Sequence, residues 1–209
     1  MRNILLFVLL FIYGGTVGHC MAQQVNEAQV KKEIGQAAAA LKTLQCDFVQ
    51  TKHLKMLNDD MVSKGKMYYE QDSKLRWEYV TPYAYTFILN GDKVLLKNRN
   101  RNDVIDVNQN KVFKEIARIM MSSVVGDCLS DTRSFKTSIR GTDTEWVATL
   151  LPLRKDIKQM FQQITLHFNK QRRIVTKVEL LEKNGDKTII ELKNIRTNEA
   201  INASLFAIH

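Results

Sequence analysis

The sequence predicts an α+β fold: a strongly curved antiparallel sheet of about ten or eleven strands, with two or three helices over its concave face. Three observations predict it. Short runs of alternating apolar residues recur along the chain, divided by turn signals. The connections are short, which favours antiparallel neighbours. Two long amphipathic segments interrupt the strands without alternating with them one by one.

The 209 residues fit one domain. With 44% hydrophobic and 25% charged residues, the chain belongs with globular and not with disordered proteins. Residues 1–22 read as a secretory signal. Arg2 supplies the positive start, Ile4 to Tyr13 the apolar run, and Cys20-Met21-Ala22 the cleavage region. That run is shorter than the roughly 20 residues a membrane span needs. A lipid-modified cysteine wants a small residue before it, and Cys20 follows His19. The expected mature domain is therefore 23–209, soluble and exported. Losing Arg2 lowers the formal charge from +9 to +8.

Gln23 to Leu44 reads as the first helix, with Val30, Ile34, Ala37, Ala38, Leu41 and Leu44 on one face. Cys46 to Met56 reads as a strand, followed by the polar turn of Leu57 to Ser63. Next comes the most informative stretch, Gly65 to Gly91. Side chains on a strand alternate between faces, so Leu75, Trp77 and Tyr79 share one face. Thr81-Pro82 breaks the ladder. Tyr85, Phe87 and Leu89 then repeat that apolar face before the Asn90-Gly91 turn. Lys93 to Lys97 completes the hairpin.

Lys97, Arg99 and Arg101 form a basic run among asparagines. It lacks the aromatic residues on which single-stranded nucleic acid stacks, and reads as a solvated hairpin before a short strand. Lys111 to Val125 reads as the second helix, with Val112, Phe113, Ile116, Met120 and Val124 along one stripe and Gly126 as its stop. Five further strands follow: Lys136–Arg140, Glu145–Pro152, Gln163–Asn169, Ile174–Glu182 and Lys187–Ile195. A short third helix falls within Leu153 to Phe161.

Catalytic signatures are missing. The chain has no nucleophile elbow, phosphate loop, zinc-protease motif or calcium-loop spacing. His53, His167 and His209 each stand alone in sequence. Cys46 and Cys128 lack metal-ligand spacing. They are either a disulfide, worth up to about 4 kcal/mol for so long a loop, or two buried thiols. A binding protein without cofactor or metal is expected, and not an enzyme.

Phe48-Val49-Gln50, Gly65-Lys66-Met67-Tyr68, Leu75-Arg76-Trp77-Glu78-Tyr79, Pro82 and Asn90-Gly91 stand in an order and spacing that resemble the periplasmic outer-membrane lipoprotein carrier family, LolA. The export signal and first helix agree with it. The resemblance is strongest over residues 46–96. It implies an unclosed β-barrel with a helical lid over a cavity for lipoprotein acyl chains. It also implies loading by an inner-membrane lipoprotein-releasing transporter and delivery to an outer-membrane acceptor. Carried over by position, it places Leu75, Trp77 and Phe87 in a lipid-binding wall. Periodicity adds Tyr79, Tyr85 and Leu89, and from the lid Phe113, Ile116 and Met120.

Two departures stand out. The family's basic residue before the tryptophan strand is Gln71 here, with Lys74 and Arg76 nearby. The chain also ends at His209, where the family pattern continues into a proline–glycine segment. The expected protein is a monomeric periplasmic carrier that shields acyl chains and does not bind nucleic acid. The alternatives are a lipid- or lipoprotein-sensing half-barrel, or a carrier of another apolar product such as a glycolipid or pigment.

Overall fold

The structure is a computed structural model, and it describes residues 25–57, 59–109, 119, 121–122 and 124–208. The proposed signal, most of the predicted second helix with Phe113, Ile116 and Met120, and His209 lie outside the described residues.

Helix α1 spans Glu27–Ala40. Its start is set by Asn26, whose side chain accepts a hydrogen bond from the Gln29 backbone N–H, satisfying one of the donors a helix start leaves open. It buries Val30 and Ile34. The sequence reading carried this helix on to Leu44, but the chain turns extended at Leu41. Leu44 already belongs to the first strand, paired with Tyr69 and Thr197. Helical and strand periodicities both place Leu44 inside, so spacing alone could not separate them.

Six strands follow as consecutive hairpins: β1 (Thr43–His53), β2 (Asp60–Glu70), β3 (Lys74–Thr81), β4 (Tyr85–Asn90), β5 (Lys93–Asn98) and β6 (Asn102–Asp106). Five more close the chain: β7 (Phe135–Gly141), β8 (Glu145–Pro152), β9 (Phe161–Asn169), β10 (Ile174–Glu182) and β11 (Lys187–Thr197). A short helix α2 (Lys155–Met160) joins β8 to β9. All the strands form one antiparallel sheet, ordered β6-β5-β4-β3-β2-β1-β11-β10-β9-β8-β7. Long-range pairing of β1 with β11, such as Phe48 opposite Leu192 and Gln50 opposite Ile190, splices the two halves.

Strands β6 and β7 are the two edges, so the barrel is unclosed. The connection from β6 to β7 joins these two edges, and its described residues cross over the concave face, with Ile119 and Val124 in the main core. Ile119, Met121, Ser122, Val124 and Val125 are helical and sit in that crossing. Gly126 ends it with φ +82°, its N–H bonded to the Ser122 carbonyl. A Cβ here would lie 2.7 Å from the Phe168 ring and 2.8 Å from Ile34. Glycine thus lets the crossing segment settle between α1 and β9.

The main core fills the concave face, from Ile34 on α1 through Phe48, Met67 and Leu75 to Leu166 and Phe168. A second, smaller cluster lies elsewhere. Ile88 and Leu95 pack with Phe206 of the C-terminal tail, flanked by Ile201 and Ile208. Arg76 Nη1 donates to the Leu205 carbonyl at 3.2 Å, and Asn90 Nδ2 donates to the Phe206 carbonyl at 3.0 Å. This tail explains why Phe87, Ile88 and Leu89 are all buried, where alternation predicts one exposed residue in the middle.

Cys46 and Cys128 are both buried thiols. Burial, with the Asp47 carboxylate beside it, pushes the Cys46 thiol up to about 12. His167 is not isolated: Nδ1 lies 3.2 Å from Glu145 and Nε2 3.1 Å from Glu179.

Candidate functional site: an apolar cavity under the crossing segment

Between the sheet and the crossing segment lies a cavity of about 660 Å³, within the range of small-molecule sites. Met67 and Trp77 contribute from β2 and β3. Val175, Val178 and Leu180 come from β10, with Ile190 and Leu192 from β11. Ile119 and Val124 face it from the crossing segment, and Met160 and Phe161 close one side. These side chains offer hydrocarbon and soft sulfur, which adapt to varied apolar shapes.

The strand pairing explains the placement. Successive cross-strand partners on one face of β1 and β2 are Cys46–Met67, Phe48–Gly65, Gln50–Ser63 and Lys52–Met61. The inner face of β1 is therefore apolar at its start and polar at its end. Gln50 and Lys52 both line the cavity. On β10 the ladder shifts register between Val175 and Lys177. This irregularity puts Val175 on the same inner face as Val178 and Leu180, where strict alternation would turn it outward.

Aromatic stacking fixes the β1–β3 wall. Phe48 and Trp77 have ring centroids 4.5 Å apart, and the Phe48 and Tyr79 rings meet edge-on at 5.2 Å. The Tyr79 hydroxyl donates to Gln50 Oε1 at 2.9 Å, and burial pushes its titration upward. Gly65 makes the stack possible. A Cβ there would sit 1.9 Å from the Glu78 carbonyl oxygen and 2.6 Å from the Phe48 ring.

The mouth is polar. Lys52 pairs with Glu182 at 2.9 Å, and the Thr188 hydroxyl donates to the same carboxylate at 3.3 Å. Gln159, Lys183 and Asn184 complete this rim. Among the described residues no group of three or more His, Cys, Asp or Glu could hold a metal ion.

Of the residues expected in a lipid-binding wall, Trp77 and Tyr79 line the cavity. Leu75, Phe87 and Leu89 are instead buried in the main core, Leu75 at 0% exposure. Tyr85 is half-buried against Tyr79, at 6.4 Å between rings. Gln71 is exposed in the β2–β3 turn. Lys74 pairs with Glu70, and Arg76 is held by Glu78 and the C-terminal tail. The β10 and β11 wall was missed because it carries no aromatic signal and depends on a register shift. The alternating Val178 and Leu180 were the available clue.

The arrangement is that of an open antiparallel half-barrel with a helical crossing segment over an apolar cavity. Residues 39–209 match the family described as outer membrane lipoprotein carrier protein LolA, and the chain belongs to that family. Two relatives described as outer-membrane lipoprotein carrier protein agree. The one from Chromobacterium violaceum is 26% identical over 188 residues, covering 89% of this chain and 84% of that protein. The one from Chromohalobacter salexigens is 25% identical over 144 residues, or 69% of this chain and 65% of the relative's length. The fold also resembles a solved complex of Pseudomonas aeruginosa MucA and MucB. There the TM-score is 0.55 at 12% identity, over 88% of this chain and 61% of that one.

Proposed function

We propose that this chain is a non-enzymatic periplasmic carrier that hides lipoprotein acyl chains in its cavity while the lipoprotein crosses from inner to outer membrane. The observation that carries the reading is the cavity itself: about 660 Å³ walled by hydrocarbon, with its charged groups at the mouth. Exposing a methylene to water costs about 0.8 kcal/mol, and an apolar cavity spares the chain that cost once it has left the membrane. No fixed polar contact with the chain is required.

Release follows from the same geometry. Ile119 and Val124 face the sheet across the cavity, so they can approach it when no ligand is present. Closure then competes with acyl binding and lowers net affinity. The mature chain begins near Gln23 and works as a monomer. It takes its cargo from an inner-membrane releasing transporter and gives it to an outer-membrane acceptor.

The test is release of a labelled lipoprotein from inner-membrane vesicles that hold such a transporter. With this protein and ATP present, the label is expected to appear in the supernatant as a one-to-one complex. Label that stays in the vesicles at every protein concentration contradicts the carrier reading.

A further inference from the structure

One rim of the sheet carries an unusual collection of side chains. The pairings of Lys64 with Thr81, Tyr85 with Asn98, His53 with Lys187 and Phe161 with Glu182 fix which turns share an end. The β1–β2 tip, the β3–β4, β5–β6 and β10–β11 turns, and the β8–α2–β9 connection all leave the sheet at that end. The polar mouth of the cavity opens among them, at Lys52, Gln159, Lys183 and Asn184.

This rim is apolar where turns are ordinarily polar. Met56 is 95% exposed at the β1–β2 tip, with Leu57 and Met61 beside it. Tyr83 is 80% exposed in the next turn, and Leu151 and Leu153 are exposed at the end of β8. The rim is also basic. Lys55, Lys64, Arg99, Lys155, Lys158 and Lys183 are exposed on it. Two of its acids are already matched within the chain, Asp156 by Arg154 and Glu182 by Lys52. Arg99 and Arg101 of the basic run that gave no function in the sequence fall in the β5–β6 turn, at this same end, with Lys97 just before them in β5.

We propose that this rim docks directly onto an anionic phospholipid surface. Met56, Leu57 and Tyr83 enter the boundary between headgroups and acyl chains, while the lysines and Arg99 meet lipid phosphates. Exposed apolar tips ringed by basic side chains suit such an interface on both counts. Flexible methionine and tyrosine, with one apolar and one wet end, suit the boundary layer. Docking sets the cavity mouth against the bilayer. Among the described residues no helix is long and apolar enough to cross a membrane. The inference does not rest on the carrier reading: a sensor with this rim would bind the same vesicles.

Co-sedimentation tests it, using the exported, processed protein without cargo. The vesicles are phosphatidylcholine alone or phosphatidylcholine with phosphatidylglycerol. Binding is expected with the anionic vesicles, about tenfold or more weaker with neutral ones, and weaker as salt is raised. The double variant Met56→Asp with Leu57→Asp is expected to keep the wild-type circular dichroism and melting temperature, and to bind anionic vesicles about tenfold more weakly or worse. Arg99→Glu with Lys155→Glu should weaken binding too. The proposal is overturned if wild type ignores anionic vesicles. It also fails if the apolar variants bind undiminished and only the charge reversals matter, since the rim would then be a charged surface for an acidic protein.

Discussion

Leu180→Glu is expected to leave the protein folded and to weaken acyl-chain binding by about 100-fold or more, which corresponds to roughly 2.7 kcal/mol. Leu180 is half-buried, lies opposite Ile164 and Thr188 in the sheet, and lines the cavity. An open cavity can admit water to a carboxylate there, so the empty protein loses only packing, about 1–2 kcal/mol. An acyl chain would strip that water and leave a desolvated charge without a partner. The readout is lipoprotein release from vesicles, alongside a thermal melt. Leu75→Glu is the contrast. Leu75 is fully buried in the core and does not line the cavity, so the same change there should unfold the chain. If Leu180→Glu binds cargo as wild type does, this wall does not hold the acyl chain.

Gly65→Ala is expected to cost about 3 kcal/mol or more, the upper range for overpacking, and to lower the melting temperature by about 10 °C. A single added carbon would meet the Glu78 carbonyl at 1.9 Å and Phe48 at 2.6 Å. The Glu78 contact is backbone, so relief requires β2 and β3 to separate. Phe48 is 1% exposed and stacked on Trp77, so the ring cannot swing away without disturbing the cavity wall. Gly35→Ala is the control. It lies within α1 with nothing within 4 Å of the added carbon. Alanine there should stabilise by roughly 0.5–1 kcal/mol. Denaturant melts of the pair separate a steric requirement from a mere intolerance of substitution.

Much of the sheet was legible because its hairpins are local. The β3–β4 aromatic alternation and the Asn90-Gly91 turn needed no distant partner to be recognised. Other features depend on contacts between distant parts of the chain. Pairing of β1 with β11 joins Phe48 to Leu192, and no periodicity within either segment announces it. That splice brings Trp77 and Tyr79 into one cavity with Val178 and Leu180. The sequence reading took the aromatic face of β3 and β4 as the wall. Only its β3 portion, at Trp77 and Tyr79, reaches the cavity, while Leu75, Phe87 and Leu89 serve the core. The packing of Phe206 against Ile88 and Leu95 was equally hidden, since a short irregular tail carries no repeat.

The central claim is that acyl chains occupy the cavity between the sheet and the crossing segment. The most direct measurement is photo-crosslinking with a lipoprotein whose acyl chain carries a diazirine, followed by peptide mapping. The account predicts labelled peptides that contain Trp77, Val178, Leu180 and Ile190, with the label lost in Leu180→Glu. Labelling confined to the outer face of the sheet, or to the C-terminal tail around Phe206, would contradict it.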